Sequence, residues 1–331
     1  MLPEDAAQAL ACQKDAEAQW RQSGAQPGRR PVCLLRGDSA PEILEAAEQS
    51  GILCVNPPAA LRLAGDKLAC AVRMQAQGIP VPAAVPLPSP KAAAREGSAA
   101  LVRRLQNAGI PFPAVIKPRT GSRGRDVFLA HNAAEAAAFL LSRQNRRAGF
   151  LMQEYIPFSR GRDLRVFFAG ETPAAVCMRE NPAALHRTGE IRANVAAGGA
   201  FTACSGTGFS GGGTGRDAFL RRAVRIIRRE LGLVYGAADF LFLPDGRLTL
   251  CEVNGSPGFE GLERTAGINI AGAVAEAVLA FSREAASAPE SPPPVSSGPS
   301  SGTAGGPSPG WCIPEPQPDS AIQSHRDKPA E

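Results

Sequence analysis

Short apolar runs and stretches of helical periodicity alternate along the first part of the chain. The run 31–35 is apolar enough for a buried strand, apolar positions recur at helical spacing over 40–51, and the run 52–55 is apolar again. This order predicts a small β-α-β unit. A further helix is predicted over 66–79, where apolar residues share one face. Five prolines between 80 and 90 then predict a stretch without regular structure.

From residue 114 the pattern changes to one dominated by strands. Apolar runs predict strands at 114–119, 126–130, 150–156 and, as a pair about a turn, within 163–179. Helical spacing predicts helices over 133–144, 216–231 and 269–282, and a strand hairpin is predicted over 237–254. Eight glycines between 198 and 215 predict a loop there.

The two ends of the chain differ in composition from the middle. Residues 1–30 are polar and rich in Ala and Gln, which predicts a flexible leader. Residues 284–331 contain 11 Pro, 5 Gly and 9 Ser, so they cannot bury enough surface to offset the loss of chain entropy. We therefore predict a disordered tail, whereas the 44% of apolar residues in the whole chain supports a sizeable core.

Composition excludes some classes of protein and leaves others open. The net charge of +5 is mild and suits a nucleotide as well as a nucleic acid, so it does not indicate nucleic-acid binding. Eight scattered cysteines without a C-x-x-C pair predict reduced thiols in a cytoplasmic protein. Three histidines without metal-ligand spacing argue against zinc. No run approaches the roughly 18 apolar residues of a membrane span, and the acidic N-terminus does not resemble a signal peptide.

The hairpin at 237–254 carries the strongest chemical signal. If its strands pair symmetrically about the P-D-G-R turn, Leu243 lies opposite Leu248 and Asp239 lies opposite Glu252, with Asn254 on the same face as Glu252. Two facing carboxylates repel unless a cation neutralises them. Carboxylate and amide oxygens suit Mg²⁺ that also holds phosphates. The alternative, a solvated hairpin edge, is disfavoured by the apolar flanks.

Weaker signals precede the hairpin. Lys117 ends a strand, and Gly121 and Gly124 bracket a polar turn in which backbone N–H groups can approach phosphate oxygens. No Walker A pattern is present, and a mobile hairpin tip explains this turn equally well. The strand end Q-E-Y-I at 153–156 could read an adenine edge, and Arg192 could meet a phosphate. Taken singly, these are a strand end and a surface arginine.

The order of these groups is more specific than any one of them. The series D-K-L, K-P-x-x-G-S-x-G-R, Q-E-Y-I, D-L-R, R-x-N, D and E-V-N-x-S-P-G-x-E-G resembles the sequence pattern of the ATP-grasp enzymes. The closing run CEVNGSPGFEGLERTAGINIAG resembles the RimK branch, the α-L-glutamate ligases. The resemblance covers roughly 52–283. It implies an α+β fold in which ATP lies in a cleft between two α+β lobes.

The resemblance also implies a domain organisation and a set of site residues. The implied parts are a leader (1–30), a shortened α/β pre-ATP-grasp unit (31–65), an ATP-grasp domain (66–283) with a smaller lobe at about 114–160 and a larger lobe at about 161–283, and the tail (284–331). The implied ATP-binding residues are Lys67, Lys117, Gly121, Ser122, Gly124, Gln153, Glu154, Tyr155, Ile156 and Asp163. The implied catalytic residues at the reacting phosphate are Arg192 and Asn194, and the implied metal ligands are Asp239, Glu252 and Asn254.

The implied activity is ATP-dependent ligation of a carboxylate to an amine through an acyl-phosphate. The implied ligands are ATP and Mg²⁺, with Mn²⁺ as an alternative metal, and the substrates are an acid, such as glutamate or another amino acid, and an amine on a protein or a small molecule. Two alternatives stay open: another ATP-grasp ligase, and an ATP-binding module that has lost catalysis, as the short first unit suggests. The motif residues are intact, which argues against lost catalysis. A homo-oligomer is compatible with the sequence.

Overall fold

The computed structural model describes residues 32–35, 41–49, 53–121, 124–143, 149–186, 190–205 and 215–287. The predicted leader lies outside these ranges, as does the predicted tail apart from residues 284–287, which continue the last helix. The α-helices are α1 (Pro41–Gln49), α2 (Pro58–Gly65), α3 (Lys67–Ala76), α4 (Pro90–Glu96), α5 (Ser98–Gln106), α6 (Ala133–Leu141), α7 (Pro182–His186), α8 (Gly215–Leu231), α9 (Glu260–Ala266) and α10 (Ile270–Ser287). The strands are β1 (Cys33–Leu34), β2 (Cys54–Val55), β3 (Ala84–Leu87), β4 (Ala114–Pro118), β5 (Phe128–Ala130), β6 (Phe150–Glu154), β7 (Arg162–Ala169), β8 (Thr172–Glu180), β9 (Ala200–Ser205), β10 (Tyr235–Phe242) and β11 (Leu248–Asn254).

The first described elements form the predicted β-α-β unit. β1 and β2 run parallel, with Cys33 paired to Cys54, and α1 lies between them in the chain. The helix α2 was not predicted; it begins with a proline at its N-terminus, where the missing N–H costs nothing. Asp66 then caps α3, because its carboxylate accepts hydrogen bonds from the Leu68 and Ala69 N–H groups, both at 3.1 Å. The helix predicted over 66–79 is thereby confirmed.

A four-stranded antiparallel sheet has the strand order β3-β6-β4-β5. Its edge strand β3 lies in the proline-rich stretch for which we predicted no regular structure, and that prediction was wrong. The Glu154 N–H donates to the Ala83 carbonyl at 2.8 Å, so the alternation of antiparallel pairs leaves Pro86 at a non-hydrogen-bonded position. The missing N–H of Pro86 therefore costs β3 no bond to β6. The sheet consequently includes chain before residue 114, where we placed the start of the smaller lobe.

A five-stranded antiparallel sheet has the strand order β11-β10-β7-β8-β9. Its strand β9 falls within the glycine-rich stretch that we predicted to be a loop, so that prediction was wrong for residues 200–205. Six residues other than glycine stand together there, and they pair with β8 from Glu180–Ala200 to Val176–Ser205. The glycines at 206–214 lie outside the described residues.

The hairpin of β10 and β11 has a register that differs from the symmetrical one. Asp239 lies opposite Glu252, as predicted, but Leu248 pairs with Phe242 rather than with Leu243. A shift of register next to Asp239, with Cys251 as the additional residue, reconciles the two pairings. The prediction for the carboxylates is confirmed, whereas the pairing of the leucines from which we reached it was wrong.

Three apolar clusters hold the helices on the two sheets. Helices α2, α3 and α8 pack on one face of the five-stranded sheet, and α9 and α10 pack on its other face. Helices α4, α5 and α6 cover one face of the four-stranded sheet. The uncovered face of the four-stranded sheet and the charged end of the five-stranded sheet form the walls of a cleft.

The cysteines depart from the prediction of reduced thiols at one position. Cys54, Cys70 and Cys251 are free thiols, but Cys177 is disulfide-bonded. In the part of the chain that the structure describes, no helix has the length and apolar character needed to cross a membrane.

Candidate active site

A cleft of about 950 Å³, including its open mouth, lies between the two sheets. It brings together motif residues that are up to 185 positions apart in the chain, from Lys67 to Glu252. The predicted site residues that line it are Lys67, Lys117, Gly121, Gly124, Gln153, Glu154, Tyr155, Ile156, Asp163, Arg192, Asn194, Asp239 and Glu252. Asn254 is not among its lining residues, and Ser122 lies outside the described residues.

Two lysines reach the cleft from different elements. Lys117 is on β4, where it is 5% exposed, and its Nζ lies 3.9 Å from the Cys251 Sγ across the cleft. Lys67 opens α3, and its Nζ donates to the Gly121 carbonyl at 2.7 Å. Burial lowers the pKa of Lys67 and the neighbouring ammonium of Lys117 lowers it further, while Glu252 acts in the opposite direction. Two cations in a half-buried cleft form a site for a polyanion.

The strand end 153–156 forms one wall of the cleft. The Glu154 N–H bonds to the Ala83 carbonyl, and the Glu154 carboxylate accepts from the Ala83 N–H at 3.2 Å. Beyond this pair, no backbone hydrogen bond engages the Tyr155 or Ile156 N–H among the described residues. Apolar side chains that we did not single out from the sequence also line the cleft: Val115, Val127 and Leu241. Free backbone groups beside an apolar slot suit a flat heterocycle.

Arg192 lines the cleft and is held in place by three hydrogen bonds. Its Nε and Nη2 donate to the two carboxylate oxygens of Glu190 at 2.9 and 2.6 Å, and its Nη1 donates to the Gly124 carbonyl at 2.8 Å. The Glu190 carboxylate raises the pKa of Arg192, which stays a cation. The buried Oδ1 of Asn194 has no hydrogen-bond partner among the described residues. Glu190 was missed in the sequence, although it stands only two positions before Arg192.

A network of two arginines and two aspartates lies at the base of the cleft. Arg179 forms a two-bond ion pair with Asp163, at 2.7 Å for both bonds, and also contacts Asp239 at 2.8 Å. Arg165 forms a second two-bond pair with Asp239, at 2.8 Å for both bonds. Neither arginine was singled out from the sequence, since the pairs join positions 16 and 74 residues apart. Asp163 therefore contacts an arginine at the sheet surface, in addition to lining the cleft.

Asp239 stays ionised in this network. Burial alone would raise the pKa of Asp239, but Arg165 and Arg179 outweigh this effect and hold that pKa at about 2. The carboxylate of Glu252 makes no hydrogen bond or ion pair within the ranges that the structure describes. A buried anion beside an unpaired carboxylate is a donor set that a divalent cation completes.

The third predicted metal ligand is placed differently. The Asn254 Oδ1 accepts from the Ser256 N–H at 2.8 Å, which turns the amide toward its own loop. In the described ranges, no three or more His, Cys, Asp or Glu side chains lie together in a group that could hold a metal ion. The predicted metal ligands that line the cleft are thus Asp239 and Glu252. Their oxygens fit Mg²⁺, which takes one or two carboxylates together with phosphate oxygens.

Comparison with known proteins agrees with this geometry. A family model described as a RimK-like ATP-grasp domain matches residues 64–278. A probable alpha-L-glutamate ligase of Xanthomonas oryzae pv. oryzae (strain MAFF 311018) is 30% identical over 234 residues, which cover 71% of this chain and 71% of that protein.

Two solved structures share the architecture. The crystal structure of D-cycloserine synthetase DcsG has a TM-score of 0.54 at 18% identity, covering 74% of this chain and 78% of that one. The RimK domain protein ATP-grasp from Sphaerobacter thermophilus DSM 20745 has a TM-score of 0.50 at 23% identity, covering 76% and 82%. At these identities the likeness shows the fold.

The two sheets and the cleft between them define an ATP-grasp fold of the α+β class, as predicted. The match over 64–278 and the identity to the curated relative go further: the chain belongs to the RimK-like ATP-grasp family. It is an ATP-dependent ligase that joins a carboxylate to an amine.

Proposed function

We propose that this ligase activates an amino-acid carboxylate as an acyl-phosphate and transfers it to an amine, with glutamate as the first candidate acid. The curated relative is named a probable alpha-L-glutamate ligase, which supports this choice of acid. The observation that carries the proposal is the cleft itself. The cleft is lined by the cations Lys67, Lys117 and Arg192, by the carboxylates of Asp239 and Glu252, and by apolar side chains.

The binding of ATP follows from this layout. The adenine lies in the slot at 153–156, where the free N–H groups of Tyr155 and Ile156 can read its edge. The phosphates extend past the glycine-rich turn toward Lys67 and Lys117, and the terminal phosphate lies beside Arg192. Ser122 stays a predicted member of that turn, and Asp163 stays a predicted contact on the sugar side.

The chemistry requires positioning and neutralisation of charge rather than covalent catalysis by the protein. A carboxylate oxygen of the acid attacks the terminal phosphorus, the bond to the bridging oxygen breaks, and ADP leaves. The amine then attacks the carbonyl carbon, and phosphate and a proton are released. Arg192, held by Glu190, stabilises the charge on the transferring group. The unpaired amide oxygen of Asn194 is an acceptor, so it is available to a cation or to a donor beside that group.

Asp239 and Glu252 would hold Mg²⁺, with Mn²⁺ as an alternative, and Asn254 would join them only after its bond to the Ser256 N–H breaks. Mg²⁺ supplies neutralisation of the phosphate charge when it is bound. The residues of the chain supply the rest, because the lysines and Arg192 draw the triphosphate to one geometry. Oligomeric state does not enter the proposal, since the cleft is built within a single chain.

Two experiments test the proposal. Thermal melting should show stabilisation by Mg·ATP and a clearly smaller effect of Mg·GTP at equal concentration, because a backbone N–H at 155 or 156 can donate to N1 of adenine, whereas guanine carries a hydrogen on N1. Equal stabilisation by the two nucleotides would contradict the assignment of the slot. Release of ADP should then be measured across a panel of amino acids, with and without candidate amines. Absence of ADP release with every acid would contradict the proposed activity.

A further inference from the structure

Asn181 follows β8 and contacts the loop that carries Arg192 and Asn194. Its side chain is 1% exposed and does not line the cleft. We call residues 192–199 the Arg192 loop; it runs through one turn of 3-10 helix (Val195–Ala197) to the start of β9. Asn181 is therefore placed to act through this loop rather than on a ligand in the cleft.

The side-chain amide of Asn181 is bonded to two points of the Arg192 loop. Its Nδ2 donates to the Arg192 carbonyl and to the Ala197 carbonyl, each at 2.9 Å. A primary amide has two N–H donors, so both are used on the loop. Between these two points, the Asn194 carbonyl accepts from the Ala197 and Gly199 N–H groups at 2.9 and 3.1 Å. The loop is thus closed by its own backbone and attached to the rest of the chain by Asn181.

The other polar atoms of Asn181 are bonded as well. Its Oδ1 accepts from the Ala183 N–H at 3.1 Å, as a capping residue does, at the start of α7. Its backbone N–H donates to the Gly161 carbonyl at 2.7 Å, and its carbonyl accepts from the Ala184 N–H at 3.0 Å. An amide held at all of these atoms has one orientation, so its two N–H groups specify where the Arg192 loop lies.

The backbone position of Arg192 decides where its guanidinium lies. Its Nη1 donates to the Gly124 carbonyl, and its Nε and Nη2 donate to Glu190. Because Glu190 stands only two residues before Arg192, it orients the guanidinium but moves with the same backbone. The bonds of Asn181, by contrast, join the loop to the end of β8 in the five-stranded sheet. They fix Arg192 relative to the sheet that also carries Asp239.

We propose that Asn181 is a positioning residue of the reaction: it fixes the Arg192 loop so that the guanidinium of Arg192 meets the terminal phosphate of ATP. The proposal rests on the proposed ligase function, in which Arg192 neutralises that phosphate. Without the two donors of Asn181, the carbonyls of Arg192 and Ala197 lose their partners and the loop shifts. Accurate placement matters, since a misplacement of about 1 Å costs on the order of 100-fold in rate.

Two substitutions of Asn181 separate its bonds to the loop from its bond to α7. Asn181→Asp has the same shape and keeps an oxygen for the Ala183 N–H, but the ionised carboxylate has no donor for the two loop carbonyls. Asn181→Ser also keeps a capping oxygen, carries no charge, and is too short to reach both carbonyls. The serine variant carries the test if the aspartate variant fails to fold.

Asn56 provides a matched control. It is fully buried and does not line the cleft, and its Nδ2 also donates to two carbonyls, those of Tyr235 and Gly255, at 2.8 and 2.5 Å. Asn56→Asp and Asn56→Ser therefore remove the same kind of bonds from another part of the fold. All four variants should melt at a lower temperature than the wild type, so lost stability alone does not explain a difference between the two positions.

Calorimetry with a non-hydrolysable Mg·ATP analogue and with Mg·ADP measures the effect without turnover. The Asn181 variants should raise the Kd of the analogue at least about tenfold and leave the Kd of Mg·ADP within about twofold, because only the terminal phosphate meets Arg192. The kcat for ADP release should also fall at least about tenfold. The Asn56 variants should leave the ratio of the two Kd values unchanged. Wild-type affinity for the analogue in both Asn181 variants overturns the proposal, as does an equal rise of both Kd values.

A double variant tests whether Asn181 acts through Arg192. Arg192→Ala alone should raise the Kd of the analogue at least about tenfold, and adding Asn181→Ser should change it by no more than about twofold, because the guanidinium that Asn181 places is gone. Losses that multiply overturn the proposal, since Asn181 would then act elsewhere. If the wild type releases no ADP with any acid, the proposed function fails and this inference fails with it. ADP release by the wild type together with unaltered Asn181 variants removes only the role of Asn181.

Discussion

Gly124 joins the glycine-rich turn to Arg192, and replacing it gives a sharp test of the phosphate site. Its φ is +66°, and a Cβ at this position would lie 2.9 Å from the Arg192 Cδ and 3.2 Å from the Asn194 Nδ2. Gly170, between β7 and β8, has a φ of +62° with nothing within 4 Å of such a Cβ. Either change to alanine should cost about 1–2 kcal/mol of folding stability, because a left-handed backbone is unfavourable for L-residues.

Only Gly124→Ala should also weaken the binding of ATP. The added methyl group would lie too close to Arg192, which also donates to the Gly124 carbonyl, so the substitution should shift the guanidinium from the position at which we propose that it meets the phosphate. Loss of one charge-assisted hydrogen bond is worth about 1.5–3 kcal/mol, which is roughly 10- to 150-fold in affinity. Calorimetric titration of Mg·ATP should therefore show a Kd raised at least about tenfold in Gly124→Ala and within about twofold of wild type in Gly170→Ala.

Thermal melting separates the two contributions. Both variants should lose a similar amount of stability, and only one should lose affinity. Wild-type affinity in Gly124→Ala would refute the reasoning, since the contact between the turn and Arg192 would then have no bearing on the phosphates. An equal loss of affinity in both variants would attribute the effect to strain alone.

Three further predictions concern single charged residues. Lys117→Ala should lower kcat/KM for ATP by roughly 10- to 100-fold through loss of a charge-assisted contact, whereas Lys91→Ala, an exposed lysine of α4, should leave ADP release unchanged. Glu252→Gln and Asp239→Asn should each abolish most turnover, and the double variant should cost little more than either, since both act on one cation; additive losses and an unmoved Mg²⁺ half-saturation would contradict a shared site. The ion pair of Asp66 and its cap bonds lower the pKa of Asp66 despite partial burial, so its contribution is present above its ordinary pKa and is lost as pH falls below it. Acid unfolding should accordingly separate wild type from Asp66→Asn near neutral pH and bring the two together as the pH falls below the ordinary pKa of an aspartate and the carboxyl protonates.

Much of the site could be predicted from the sequence because its residues stand at the ends of strands with a clear apolar pattern. Asp239 and Glu252 show both the strength and the weakness of such reasoning. A symmetrical hairpin gave the correct pair of carboxylates, but it also paired Leu243 with Leu248, and the structure does not. The extra residue at Cys251 cannot be seen in a hydrophobic pattern, because a bulge changes the register without changing composition.

The arginines at the base of the cleft could not be predicted in the same way. Arg165 and Asp239 meet because β7 pairs with β10, and no local pattern specifies the neighbour of a strand 74 residues away. Alternation within β7 does place Asp163 and Arg165 on one face, so a charged face could have been read from D-L-R alone. The partners on that face depend on tertiary pairing. For the same reason, β3 was missed: a proline is tolerated only at an edge, and the edge is a property of the sheet.

Pro86 also affects the tendency of the protein to self-associate through the free edge of the four-stranded sheet. The outer rim of β3 is the rim where an extended segment of another chain could add by backbone pairing. Pro86 presents no N–H on that rim, because its position is one whose backbone groups face away from β6. A strand from another chain that paired with this four-residue edge would lack one hydrogen bond, because Pro86 has no N–H to donate. Pro86 therefore disfavours edge-to-edge aggregation. Replacing it with valine should make the protein more prone to self-associate on heating.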